Sequence, residues 1–403
     1  MIRATRTQWV KFAVVLALYL IFLVWLRSWL GLVVVPFIFD AYITKKIPWT
    51  WWRESKNRHV VTVMGWVDAI VFALVAVYFV NLYFFQNYVI PSSSLEKSLL
   101  TGDYLFVSKM SYGPRVPQTP LHMPLAQHTL PFFNCKSYLE HPQWDYKRVK
   151  GLGDVQLNDI VVFNFPAGDT VATGVPNDDI YRLSYGAGKE LAKPVDLASM
   201  TPEQQRVVYD YYYQLGREYL KENPQNFGEI ISRPVDRREN YVKRCVGLPG
   251  QTLEIKDRII YLDGKANKEP DNVQYRYLVK TKRPIPDDLA HELGISKEDM
   301  MMYYTDASVY NMPLTEKAKA GLLARKDIVV SIENTPADDA GGLYPLNMYK
   351  NWTTDNYGPV WIPKKGETVK LTIENLPVYE RPIHVYEGNE LAVKDGKIYI
   401  NGK

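Results

Sequence analysis

Two short motifs, far apart in the chain, carry residues that could act together in catalysis. The first, residues 89–95 (VIPSSSL), places three serines directly after a long apolar segment that ends near Phe85. The second, residues 241–250 (YVKRCVGLPG), places Lys243 in a strand-like run that ends in a Pro-Gly turn. Because a serine hydroxyl is a weak nucleophile that needs a base, this pair would suit nucleophilic attack on a peptide carbonyl.

Lys243 can accept a proton only in its neutral form, and burial among apolar groups favours that form. The neighbours expected to bury it are Tyr241, Val242, Cys245 and Val246. On a strand, Lys243 shares one face with Tyr241 and Cys245, whereas Arg244 points the other way. Since an arginine does not deprotonate in proteins, Arg244 is predicted to be structural.

Each motif also has an ordinary structural interpretation. A single lysine on a strand is usually exposed to solvent, and a serine run beside an apolar segment is usually a flexible linker. None of the six histidines lies in a sequence context typical of a catalytic triad. The two motifs together, in this order and after an apolar segment, favour a site.

The elements before the serines are apolar segments long enough to cross a bilayer, which takes ~20 residues. Arg27 leaves two alternatives for the first segment. Either it spans about residues 10–29 with Arg27 near one end, or it breaks near Gly31 and Pro36 and lies partly in the interface. The second segment covers residues 65–85. The first is too long for a cleavable signal peptide and precedes no small-x-small cleavage site.

The loop between these segments carries more basic than acidic residues. Its charged residues are Lys45, Lys46, Arg53, Lys56 and Arg58 against Asp40 and Glu54. The positive-inside rule predicts that this loop is cytoplasmic, so everything after residue 85 lies outside the cytoplasm. Arg3, Arg6 and Lys11 favour the opposite placement of the N-terminus, which stays open.

Composition excludes several other classes of function. The 403 residues carry a net charge of only +4, which gives no footprint for nucleic-acid binding. The two cysteines, Cys135 and Cys245, fit no metal-binding spacing. We expect two unpaired, partly buried thiols, although the sequence does not decide whether they form a disulfide.

Beyond the membrane segments, the pattern predicts a mainly antiparallel β domain with helical inserts. The predicted strands are residues 104–109, 159–165, 240–246, 252–255 and 259–262, the last three forming a meander. A helix over 202–223 follows the capping signal Thr201-Pro202, and others are expected near 286–293 and 315–324. The predicted divisions are 1–64 (first membrane segment and loop), 65–85 (second transmembrane helix), 86–265 (catalytic β domain with a helical insert at about 200–226), 266–390 (insert of mixed structure) and 391–403 (returning hairpin).

A weak internal repeat relates residues 253–265 to residues 391–403. Both copies read as strand, tight turn, strand and second turn, so either duplication or convergence explains them. The chain stops within the last of these turns, after Asn401 and Gly402. We expect from this that sequence is missing from the C-terminus.

Three ordered segments resemble the conserved boxes of bacterial type I signal peptidases. Residues 89–113 resemble the serine box, residues 158–163 the next box, and residues 241–250 the lysine box. The resemblance implies that Ser94 is the nucleophile and that Lys243 is its general base. It also implies that the Ser92 hydroxyl and the Ser94 backbone N–H form the oxyanion hole. The long inserts resemble those of the enlarged Bacteroidetes enzymes.

The resemblance implies a multi-pass protein of the bacterial inner membrane with its catalytic domain on the extracytoplasmic side. It would remove signal peptides from exported preproteins with a Ser–Lys dyad and no cofactor or metal. The chain departs from the family pattern at Lys97-Ser98, where Pro-Thr is usual, and it lacks the last conserved box. Three explanations are open for that lack: a truncated sequence, a second gene product or an inactive enzyme. We favour truncation, because the sequence stops within a turn. The competing hypotheses are a peptidase with a narrower substrate set and a non-catalytic, membrane-anchored β scaffold.

Overall fold

The computed structural model describes residues 4–133, 135–166, 170–302, 304–306, 308–337, 343–346 and 352–403. The helices are α1 (Arg6–Leu26), α2 (Val35–Phe39), α3 (Arg58–Tyr83), α4 (Ile180–Leu191), α5 (Pro202–Glu222), α6 (Pro224–Phe227), α7 (Asp287–Glu292), α8 (Lys297–Met302), α9 (Glu316–Ala324) and α10 (Leu376–Arg381). The strands are β1 (Phe85–Val89), β2 (Tyr104–Ser108), β3 (Ile160–Asn164), β4 (Thr170–Ala172), β5 (Ile230–Ser232), β6 (Asn240–Arg244), β7 (Thr252–Lys256), β8 (Ile259–Leu262), β9 (Lys265–Ala266), β10 (Gln274–Thr281), β11 (Tyr304–Asp306), β12 (Val309–Thr315), β13 (Val329–Asn334), β14 (Tyr357–Trp361), β15 (Leu391–Lys394) and β16 (Lys397–Ile400).

Helices α1 and α3 are both long and apolar enough to cross a bilayer, judged by length and composition. Helix α1 begins with a capping box formed by Thr5 and Gln8. It ends at Arg27, whose φ of 51° is left-handed, and the chain continues as short helical pieces through residue 44. Arg27 therefore lies at a helix end, as the first alternative predicts. The helix ends before Gly31 and Pro36, the positions at which the second alternative places a break, and both of these residues lie within the short helical pieces.

Helix α3 begins seven residues before the predicted start of the second apolar segment. The Asn57 side chain explains this start, because it accepts a hydrogen bond from the His59 backbone N–H at 3.0 Å. The helix ends at Tyr83, and β1 begins at Phe85. The serine motif is therefore separated from the apolar helix by only one short strand.

The β structure is antiparallel throughout the pairs that position the two motifs. Strand β1 pairs with β2, and β3 pairs with β6. A four-stranded sheet has the order β14-β7-β8-β9. The five predicted strands are confirmed to within two residues, but the predicted meander is wrong in one respect. Strand β6 pairs with β3 and not with β7, because β14 occupies the edge of β7 that a meander would give to β6.

A pair of packed helices interrupts the β structure after β4. The predicted helix is confirmed as α5, with a capping box between Thr201 and Gln204. Its partner α4 was not predicted, because Gly186 and Gly188 lower the helix propensity of that segment. The buried aromatic cluster between the two helices consists of Tyr185, Tyr209 and Tyr212.

Residues 266–390 contribute to two different sheets. Strands β10 to β13 form a sheet of order β11-β12-β10-β13, and helices α7 and α9 lie at the two predicted helical positions. We call residues 274–334 the insert subdomain, which has its own core around Val279, Met312 and Leu322, all fully buried. Strand β14, from the same segment, instead pairs with β7.

The two copies of the weak internal repeat form hairpins with the same register. In the first, Leu253 pairs with Leu262, and in the second, Leu391 pairs with Ile400. Both members of the second pair lie 138 positions beyond their counterparts in the first. The four residues that make the two hairpin turns have positive φ: Asp257, Arg258, Asp395 and Gly396. These are the dihedrals of the two-residue turns that match strand twist.

Candidate active site

The serine motif lies in a short turn at the end of a β-hairpin. Strand β1 runs antiparallel to β2 from Phe85 opposite Ser108 to Val89 opposite Tyr104. The ladder continues through Ile90, whose N–H donates to the Asp103 carbonyl at 3.0 Å. We call residues 92–99 the serine turn. A 3-10 turn over Ser93–Leu95 forms its first part, so the hairpin fixes the direction in which the serines leave the sheet.

The lysine motif lies on β6, where pairing with β3 fixes its orientation. Lys243 is opposite Val161 in the ladder. Alternation along the strand places Tyr241 on the face of Lys243. The Tyr241 ring stacks on the Phe165 ring with centroids 4.6 Å apart. Since Phe165 directly follows β3, this contact packs the first part of β6 against the end of β3.

The fold brings the two predicted catalytic side chains into direct contact. Lys243 Nζ lies 2.7 Å from Ser94 Oγ, with the nitrogen donating, across 149 positions of sequence. This distance is within the range over which a general base takes a proton from a hydroxyl. Ser92 begins the turn in an extended conformation, with φ −146° and ψ 157°. The arrangement therefore places a serine hydroxyl within hydrogen-bond reach of a lysine amine.

The expected burial of Lys243 by its strand neighbours is wrong. Lys243 and Ser94 are both exposed. Alternation sends Val242 to the opposite face of β6, and the Tyr241 ring packs on Phe165 beside the site. The neighbouring residues that read as apolar in the sequence thus do not cover the lysine.

Arg244 links the lysine strand to the serine turn, which the sequence did not indicate. One guanidinium nitrogen donates to the Asn158 carbonyl at 2.8 Å, and the other donates to Ser98 Oγ at 2.9 Å. The prediction that Arg244 is structural is confirmed by these bonds. The sequence gives no sign of the Ser98 contact, since Ser98 stands out there only as a departure from the family pattern.

A second link joins the segment that follows β2 to the start of β3. The Tyr112 hydroxyl donates to Asp159 Oδ2 at 2.6 Å. This bond lowers the pKa of the Asp159 carboxyl and raises the pKa of Tyr112 to about 12. Tyr112 and Asp159 lie in two of the three segments that resemble family boxes, but nothing in the sequence pairs these two residues.

The two cysteines are unpaired. Cys245 is half-buried, as expected, and its Sγ lies 3.4 Å from the Gly247 carbonyl. Cys135 is exposed, so the expected partial burial is wrong for this thiol. Within the described residues, no group of three or more His, Cys, Asp or Glu side chains could hold a metal ion.

Comparison with known proteins places the chain in one family. The family model described as signal peptidase, peptidase S26, matches residues 63–291, which is more than half of the chain. Signal peptidase I P of Bacillus subtilis subsp. natto is 20% identical over 68% of this chain and 90% of its own length. Signal peptidase I of Helicobacter pylori is 42% identical over a shorter stretch, 14% of this chain and 18% of its own length.

A third relative extends the same result. Signal peptidase I of Rickettsia prowazekii is 24% identical over 38% of this chain and 56% of its own length. No solved structure was found to match the chain. These comparisons group the protein with hydrolases that carry the signal peptidase name. The chain belongs to the signal peptidase family, peptidase S26.

Proposed function

We propose that this chain is a membrane-bound serine endopeptidase that removes signal peptides from exported preproteins, with Ser94 as nucleophile and Lys243 as general base. The observation that carries the proposal is the 2.7 Å contact between Ser94 Oγ and Lys243 Nζ. Family membership supports the reaction class. The contact supports the assignment of the two roles, because nucleophile and base must lie within hydrogen-bond reach.

The reaction proceeds through an acyl-enzyme. Lys243 is exposed in the free chain, so the proposed reaction requires the bound substrate to cover it, because burial favours the neutral form of a lysine. Neutral Lys243 then takes the Ser94 proton while Oγ attacks the scissile carbonyl carbon. The tetrahedral intermediate collapses, the C–N bond breaks, and the ammonium of Lys243 returns the proton to the leaving amine. Lys243 then activates a water molecule, which cleaves the Ser94 ester and releases the signal peptide. In that step Lys243 takes a proton from the water and passes it to the departing Ser94 Oγ, which regenerates the free enzyme.

The developing oxyanion needs donors that are already in place. The Ser94 backbone N–H and the Ser92 hydroxyl are the proposed donors, since Ser92 starts the turn that carries Ser94. Loss of one such donor typically lowers kcat by about 10²- to 10³-fold. We therefore expect Ser92→Ala to retain weak activity, in contrast to Ser94→Ala.

The substrate would bind in an extended conformation along a strand edge, with small side chains at the first and third positions before the cut. Helices α1 and α3 would anchor the enzyme in the bacterial inner membrane, with a cytoplasmic basic loop between them. The exposed face of the β1–β2 hairpin supports placement at the bilayer surface. Its large exposed side chains include Phe85, Val89, Tyr104 and Phe106, which suit an interface.

The test is cleavage of a model preprotein by the full chain in detergent micelles. Ser94→Ala and Lys243→Ala should each lower kcat by at least about 10⁴-fold. Lys243→Arg keeps the positive charge but provides no base, so it should be as inactive as Lys243→Ala. Ser93→Ala is the matched control for the serine turn and should cleave normally.

Three results would contradict the assignments. Normal turnover by Lys243→Ala would remove Lys243 as the base. Normal turnover by Lys243→Arg would show that charge alone is required. Absence of any Ser94-dependent cleavage by the wild-type chain, with its fold intact, would favour the non-catalytic membrane-anchored scaffold.

A further inference from the structure

We propose that Lys97 is a positioning residue through which the insert subdomain holds the serine turn in place, an inference that rests on the proposed function. Lys97 Nζ donates to the Gly294 carbonyl at 2.6 Å, across 197 positions of sequence. The Lys97 side chain is only 23% exposed, and its ammonium also lies 3.7 Å from Glu96. The Lys97 side chain is therefore mostly removed from solvent where it makes this contact.

The acceptor of this hydrogen bond is a rigid part of the insert subdomain. Helix α7 ends in a Schellman motif, in which Gly294 has a φ of 68°. The Ile295 N–H donates to the Ala290 carbonyl at 2.8 Å, and the Gly294 N–H donates to the His291 carbonyl at 3.0 Å. Ile295 and Ala290 are buried in the core of the subdomain. The Gly294 carbonyl is therefore fixed in direction before Lys97 reaches it.

The donor lies on a segment that needs external support. Lys97 has a φ of 70°, a left-handed conformation that residues with a Cβ seldom adopt and that persists only where the surroundings hold it. It is three positions from Ser94. The next residue, Ser98, accepts a hydrogen bond from Arg244, the neighbour of Lys243.

The serine turn is thus held from two sides. Ser98 connects it to the strand of Lys243, and Lys97 connects it to the insert subdomain. These are the two positions at which the chain departs from the Pro-Thr pattern of its family. The departure has a physical role here, because each of the two side chains makes a contact that restrains Ser94.

Loss of the Lys97 contact should act on the chemical step. A serine turn that is free to move holds Oγ within reach of Nζ for a smaller fraction of the time, while the strand edges that would bind substrate are unchanged. A misplacement of about 1 Å costs up to about 100-fold in rate. We expect a loss of kcat between about 5-fold and 100-fold, with KM for a model preprotein unchanged.

Four variants of the full chain test this role. Lys97→Met keeps the aliphatic stem and removes the donor, and Lys97→Gly relieves the left-handed backbone but also removes the donor. Both should lose kcat, whereas Lys97→Arg should recover most of it. Lys282→Met is the matched control, since Lys282 Nζ donates to the Lys326 carbonyl at 2.9 Å within the insert subdomain. Its kcat and KM should equal those of the wild type.

Hydrogen exchange gives a readout that does not depend on turnover. The amides of residues 95–99 should exchange faster in Lys97→Met than in the wild type and in Lys282→Met. Wild-type kcat in Lys97→Gly, or wild-type exchange of this segment in Lys97→Met, would overturn the proposal. If Lys97→Met does not fold, the other two variants test the proposal. A loss of kcat in Lys97→Gly with recovery in Lys97→Arg supports it, and wild-type kcat in Lys97→Gly overturns it.

Failure of the proposed function would look different. Ser94→Ala in the same assay establishes whether the chain cleaves the preprotein at all. If no Ser94-dependent cleavage is found, exchange in the Lys97 variants still reports whether the subdomain restrains the turn. A change in KM with kcat unchanged would show that Lys97 serves substrate binding instead, and the positioning role would be wrong.

Discussion

The contact between α4 and α5 gives a sharp prediction about two neighbouring glycines. A Cβ added at Gly188 would lie 1.8 Å from the Tyr212 carbonyl oxygen and 2.9 Å from the Gly216 nitrogen. A Cβ added at Gly186, two residues earlier in the same helix, would meet nothing within 4 Å. The same substitution by alanine should therefore have opposite effects at the two positions.

The magnitudes follow from the geometry. Ordinary contact for a Cβ begins at 3.4 Å, so Gly188→Ala must move the α5 backbone away by roughly 1.6 Å, the difference from 1.8 Å. Overpacking of this kind costs about 3 kcal/mol or more, and helix propensity returns about 1 kcal/mol. The net loss is about 2 kcal/mol. Gly186→Ala should gain about 0.5–1 kcal/mol from propensity alone.

Hydrogen exchange of the α4 and α5 amides measures this difference in the full-length protein. A gap of about 3 kcal/mol between the two variants corresponds to a ratio of about 100-fold in exchange rate. Gly188→Ala should exchange faster than the wild type, and Gly186→Ala should exchange more slowly. If Gly188→Ala protects the helices as well as Gly186→Ala does, the close approach of the two backbones is wrong.

Two further predictions concern stability. Burial, with the nearby charges of Arg115 and Arg148, lowers the pKa of Lys109 to about 8, so its charged form penalises the fold below that pH. Lys109→Met removes this cost, so thermal melts at pH 7 should show the variant more stable than the wild type by about 3 kcal/mol. At pH 9.5 the gain should shrink to about 1 kcal/mol. A part of it remains there because the unfolded lysine stays charged up to its ordinary pKa near 10.4. Thr201→Ala removes the capping box with Gln204 and should cost about 1 kcal/mol, seen as faster exchange at the start of α5; an unchanged rate there would contradict it.

The sequence predicted those features that depend on nearby residues. Strands β7 and β8, the capped start of α5 and the two apolar helices all follow from local patterns. The partner of β6 did not follow, because strand pairing depends on residues far apart in the chain. The meeting of Ser94 with Lys243 was inferred from residue types and family boxes.

The contacts that the inserts make could not be predicted from the sequence. The bond from Lys97 to Gly294 joins a loop to the end of a short helix, and no periodicity or motif relates the two positions. The exposure of Lys243 was also missed, since apolar neighbours in sequence cover a side chain only when the fold turns them towards it. Both failures concern packing between elements and not the elements themselves.

The two matching hairpins show how the same backbone is reached with and without tertiary support. In the second hairpin, the second of the two turn positions is Gly396, which adopts positive φ without steric cost. In the first, the equivalent position is Arg258, and its backbone N–H donates to the Asp355 carbonyl at 2.9 Å while its guanidinium pairs with the Asp355 carboxylate at 3.1 Å. These contacts stabilise a conformation that arginine alone disfavours. Since two-residue turns of this type fix the register of the strands they join, the shared register does not require a common origin.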